Sequence, residues 1–66
     1  MKGVIKRLVP LRGFGFIRAE NGEDVFFHRS ALQGDDFDAL QKGTSVEFNL
    51  TRGPKGPRAV RVIVAK

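Results

Sequence analysis

Apolar and polar residues alternate with a period of two along most of this chain, and no stretch carries the spacing of a long amphipathic helix. Val4 to Val9 is a run rich in β-branched residues that ends at Pro10. Phe14 to Ala19 is a second run, closed by the turn-forming Glu20-Asn21-Gly22-Glu23. Val25 to His28 is a third. Val46, Phe48 and Leu50 alternate with Glu47, Asn49 and Thr51 as a half-buried strand, and Val60, Val62 and Val64 alternate with Arg61 and Ile63 in a last one. Ser30-Ala31-Leu32-Gln33 is expected to form one helical turn with Ser30 as its cap. Gly34 to Gly43 reads as a long loop, because Phe37 and Leu40 are too sparse to build a core helix. Arg52-Gly53-Pro54-Lys55-Gly56-Pro57 reads as a second loop without strand potential. Short strands without a long helix make the chain all-β and predict a small closed or partly closed barrel of five strands.

Size limits what such a barrel can do. Residues 1–66 make a single domain, since domains run to about 100–200 residues. A chain this short buries about 60% of the surface its unfolded form exposes, which argues against a deep enzyme pocket with lids. Leu, Ile, Val and Phe make up 21 of the 66 residues, enough to drive collapse. The absence of Cys excludes disulfides and thiolate metal sites, and the lone His has no clustered ligand set around it. No cofactor is expected. Apolar runs are too short to span a membrane, and Met1-Lys2-Gly3 opens no apolar signal core, so a cytoplasmic protein is the expectation. The net charge of +5 points to an anionic partner, nucleic acid being the commonest.

The chain has six Phe and neither Trp nor Tyr. Successive strand side chains point to opposite faces. If Ile17, Val25 and Phe27 face the core, then Phe14, Phe16, Phe26 and His28 face out together. The opposite parity would expose Ile17, Val25 and Phe27, which a barrel this small could hardly tolerate. Phe27 and Phe48 are expected in the core. An outward cluster of rings is costly unless it binds something. Aromatic faces stack on unpaired bases, and Lys6, Arg7, Arg12, Arg18 and Arg29 surround the rings as partners for phosphates. Gly13 and Gly15, lacking side chains, are expected to leave the backbone between the rings open to a ligand.

Arg12-Gly13-Phe14-Gly15-Phe16-Ile17 resembles the first ribonucleoprotein motif, and Asp24-Val25-Phe26-Phe27-His28 the second. In the RNA recognition motif these elements occur in the reverse order, well separated, with two helices completing a longer domain. Here the Gly-Phe-Gly-Phe element comes first and the other follows within about ten residues, an order that resembles the cold shock domain. Gly3 to Lys6, Ser30-Ala31-Leu32, Gly34 to Leu40 and Gly56-Pro57 extend the resemblance over essentially the whole chain. It implies a five-stranded antiparallel OB-fold barrel that binds single-stranded RNA and DNA with little sequence preference and acts as an RNA chaperone. Carried over, stacking roles fall on Phe14, Phe16, Phe26, His28 and Phe37. Polar contacts to phosphates or base edges fall on Lys6, Arg12 and Asp24, and Lys55 and Pro57 lie in a loop flanking the strand path. A monomer is the expected state, with barrel edges and strand swapping as the route to dimers.

Two segments depart from the family pattern. Where the family usually has Lys-Trp-Phe-Asn, this chain has Lys6-Arg7-Leu8-Val9, and where the second motif typically ends His-Phe it ends His28-Arg29. Arginine stacks through its planar guanidinium and adds a charge that a ring lacks. Arg7 and Arg29 are therefore counted with the nucleic-acid site, and stacking area is expected to be exchanged for electrostatic attraction. Other classes fit less well. A peptide-gripping barrel would not need the basic surround and would favour Tyr and Trp. Asp35, Asp36 and Asp38 share one loop with no opposed catalytic partner, and no phosphate-binding loop of a helicase motor is present.

Overall fold

Five strands joined in a ring, each antiparallel to its neighbour, cannot close without one parallel pair, because the count is odd. The computed structural model, which describes residues 1–33, 37, 40–54 and 56–65, has this arrangement. Its strands are β1 (Lys2–Val9), β2 (Phe14–Ala19), β3 (Asp24–His28), β4 (Ser45–Gly53) and β5 (Gly56–Val64), in the closed order β1-β2-β3-β5-β4. The parallel seam lies between β3 and β5, where Phe26 is opposite Arg58. The expected OB-type barrel is thus present, with mixed rather than wholly antiparallel strands. Among the described residues no helix is long and apolar enough to cross a membrane.

The parity expected of β2 and β3 holds. Ile17, Val25 and Phe27 are wholly buried, and Phe48 joins them in the core with Ile5, Val46 and Val62. Phe14, Phe16, Phe26 and His28 alternate with the buried set and are half-buried.

Elsewhere the alternation breaks at two bulges. In β1, Ile5 is opposite Ile17 but Arg7 is opposite Phe16, so Lys6 is an extra residue and both Lys6 and Arg7 are exposed. In β5, Ile63 is opposite Glu47 but Val60 is opposite Asn49, which leaves Arg61 and Val62 facing Phe48. Arg61 adopts φ 53°, a left-handed conformation of the kind found at bulges. The buried residues are consequently Ala59 and Val62, and Val60 and Val64 are only half-buried, not the uniform inward row expected.

Two further expectations change. The segment 52–57 is largely strand: Arg52 pairs with Pro57 and Gly53 with Gly56, extending the β4–β5 hairpin. Proline is tolerated there because Pro57 stands next to the start of its strand. The short helical turn is a 3-10 turn at Arg29–Ala31, and its cap is His28, whose ring accepts from the Ser30 amide, not Ser30. The loop expected at 34–43 lies outside the described residues at 34–36 and 38–39, and from it Phe37 and Leu40 enter the core at 8% exposure.

Candidate nucleic-acid interface

Register between β2 and β3 is unbroken and sets four side chains in two rows on the outer face, Phe14 opposite His28 and Phe16 opposite Phe26. The three rings touch one another. Phe14 and Phe26 are 5.5 Å apart at 38°, and Phe16 meets Phe14 and Phe26 near edge-on at 5.9 and 6.0 Å. These spacings are those of favourable aromatic pairs, so the cluster holds its own shape before any ligand arrives. His28 is held as well. Its Nδ1 accepts from the Ser30 backbone N–H at 3.1 Å, so the neutral ring carries its proton on Nε2.

Cations frame this face. Arg7 is directly opposite Phe16, and the bulge at Lys6 turns both side chains outward. Without that extra residue Arg7 would share the face of Ile5. Lys6 and Arg7 border a depression with Phe16, Phe26 and Pro57. Arg29 donates its amide to the Gly13 carbonyl at 2.8 Å, and its stem covers Gly13 so closely that a Cβ there would lie 3.0 Å from its Cδ. Gly13 itself adopts φ 72° in the turn that leads into Phe14. Arg12 is exposed in the same turn.

Gly15 does something other than expected. It is buried, and a Cβ there would stand 2.8 Å from both the Arg7 carbonyl and the Phe27 ring. It permits close packing of β1 on β2 and does not open the backbone to a ligand. Phe37 is also misplaced by the resemblance. Its ring lies 6.0 Å from the wholly buried Phe27 and belongs to the core cluster at 8% exposure. Lys55 lies outside the described residues. Pro57 is half-buried and borders two depressions that both include Phe16 and Phe26.

One contributor is invisible to local pattern. The Arg58 guanidinium lies over the Phe26 ring, 5.9 Å from its centroid, a cation–π geometry. Only the parallel seam brings it there. Arg52 makes a two-pronged contact with Glu23, 3.1 Å to each oxygen, tying the β4–β5 hairpin to the start of β3. The signal in sequence was only that both are basic.

Asp24 accepts from Lys6 Nζ at 2.8 Å and lies 3.7 Å from Arg18 Nε. The Lys6 hydrogen bond chiefly holds its carboxyl below the ordinary aspartate value. Lost hydration works against this, and the charges of Lys6 and Arg18 add to the lowering. A carboxylate whose folded pKa is depressed contributes stability that is complete above its unfolded pKa and is lost as pH falls through the folded one. NMR titration should therefore place the Asp24 midpoint below the ordinary value, and Lys6→Ala should move it back up. A midpoint indifferent to Lys6→Ala would show that the pair does not persist in solution.

Comparison with known proteins agrees with this geometry. The family model described as the 'Cold-shock' DNA-binding domain matches residues 1–65. Cold shock-like protein CspI of Escherichia coli strain K12 is 48% identical over 64 residues, covering 96% of this chain and 91% of that protein. Cold shock-like protein CspC of Bacillus cereus is 44% identical over 63 residues, covering 96% and 97%. Among solved structures, one described as drosophila Unr CSD456 superposes with a TM-score of 0.77 at 25% identity, covering 98% of this chain. The chain spans 26% of that longer protein. With a family match along nearly its whole length and relatives alike from end to end, the chain belongs to the cold-shock domain family, a family of nucleic-acid-binding proteins.

Proposed function

We propose that this protein binds single-stranded RNA and DNA by stacking bases on Phe14, Phe16, Phe26 and His28, with Lys6, Arg7, Arg12, Arg29 and Arg58 attracting the phosphates, and that it acts as an RNA chaperone without enzymatic activity. The observation that carries this is the cluster of three mutually touching, half-buried rings on the outside of a barrel whose own core is complete without them. Rings so placed are open to unpaired bases, whereas duplex bases are already stacked on one another. A protein that binds only the open form shifts a hairpin toward melting by mass action, which requires no nucleotide hydrolysis.

Arg7 standing beside Phe16 supports a larger electrostatic share than an all-aromatic face would have. Calorimetric titration suits the chain, which lacks Trp and Tyr fluorophores. Single-stranded DNA or RNA should bind more tightly than duplex of equal length. Its affinity should fall with salt at a logarithmic slope of about −0.7 per phosphate neutralised. Equal binding of duplex and single strand would leave only non-specific charge attraction and would overturn the stacking platform.

A further inference from the structure

We propose that a single strand bound on the rings continues off them into a second, purely phosphate-binding groove over β1 and β2, formed by Lys6, Arg7, Arg18 and Lys42 around Val4. This deepens the stacking proposal above and rests on it. Among the described residues the groove is a depression lined by these five. Its position follows from the strands. The outer side chains of β2 run Phe14, Phe16, Arg18, so Arg18 is the next step along the ringed row, roughly 7 Å beyond Phe16. Arg18 is opposite Val4 on β1. Lys42 is brought alongside by backbone pairing of its turn with β1: Gly43 donates to the Ile5 carbonyl at 2.8 Å, and the Ile5 amide donates to Thr44 at 2.9 Å.

Two features select the occupant. The first is continuity, because Lys6 and Arg7 also line the depression that contains Phe16 and Phe26. A chain leaving the rings passes Asp24, which also lines that depression and whose charge is offset by Lys6 and Arg18, and so meets the groove over a surface the two depressions share. The second is chemistry. The floor is Val4, exposed at 41%, and no ring borders the groove, so bases have nothing to stack on. Among the described residues four cations meet one carboxylate, Asp24, which already shares its charge between Lys6 and Arg18. A surface with excess positive charge and no stacking element suits a phosphodiester backbone whatever its base sequence.

The experiment compares dT6, short enough to lie on the rings, with dT10 over a salt series, oligonucleotide in excess, for the wild-type chain and the Arg18→Gln/Lys42→Gln variant. Both replaced side chains are exposed, and thermal unfolding checks that the variant folds as the parent does. The wild-type salt slope should be steeper on dT10 than on dT6. Extra registers on a longer strand raise its affinity but not that slope. The variant should lose about 1.4 of slope on dT10, two phosphates' worth, and clearly less than that on dT6, an equal loss on both strands overturning the groove. An unchanged dT10 slope in the variant would overturn the groove and leave the ring platform standing. Failure of wild-type protein to bind dT6 would overturn the platform and, with it, the continuation.

Discussion

Phe16→Ala and Phe26→Ala are each expected to weaken binding of a single-stranded oligonucleotide by about 1–3 kcal/mol, roughly 5- to 150-fold, with the barrel still folded. Both rings stand on the outer face, alternating with the buried side chains that hold the sheet. Truncation therefore removes a stacking surface and leaves no cavity in the core. Some stability is still lost, because each ring gives up two aromatic neighbours at 5.5–6.0 Å. Phe26→Ala also deprives Arg58 of the ring beneath it, so it should cost at least as much binding as Phe16→Ala. Since the two rings touch, the double variant should lose less than the two single losses added together. Calorimetry with dT6 measures the affinities, and far-UV circular dichroism on heating measures the fold. Affinity that falls only in step with the folded fraction would mean that the rings act as core residues and not as a binding surface.

The residues of this face were legible because the strands that carry them are regular. Every pair from Phe14–His28 to Arg18–Asp24 keeps one register, so alternation in sequence is alternation in space. The same rule fails in β1 and β5, each of which contains one extra residue. Neither bulge has a glycine to announce it. Lys6 and Arg61 occupy the irregular positions, and Arg61 takes up a left-handed φ without the residue type that favours it. Arg58 was missed for another reason. Its place over Phe26 depends on a parallel contact between strands 32 residues apart in register, which no local pattern contains. Phe37 shows the limit of carrying a role across from a family. Its motif position suggested stacking, but a ring packed against Phe27 at 8% exposure serves the core. Segment 52–57 looked like loop because Gly and Pro usually break strands, yet its ends pair as a hairpin.

Phe27→Ala, one residue along from Phe26, should have the opposite consequence: loss of a large share of the fold's stability with no selective effect on binding. Phe27 is wholly buried and is opposite Gly15 across the β2–β3 ladder. Its ring occupies the space that Gly15 leaves empty and touches Phe37 beyond. Removing such a ring costs about 3–5 kcal/mol. A chain this short is worth only about 3–10 kcal/mol in total. Urea unfolding followed by far-UV circular dichroism should thus show a midpoint lowered by about a third or more, down to no folded baseline. Gly15→Ala alone should also destabilise, because the new methyl would meet both the Phe27 ring and the Arg7 carbonyl at 2.8 Å. In the double variant the ring clash is gone and the methyl fills part of the cavity, while the carbonyl clash with β1 persists. The double loss should therefore be smaller than the sum of the single losses. If the pair proved additive, Gly15 would be required by the approach of β1 alone. Phe27 would then stabilise the barrel through its other neighbours, Phe37 among them.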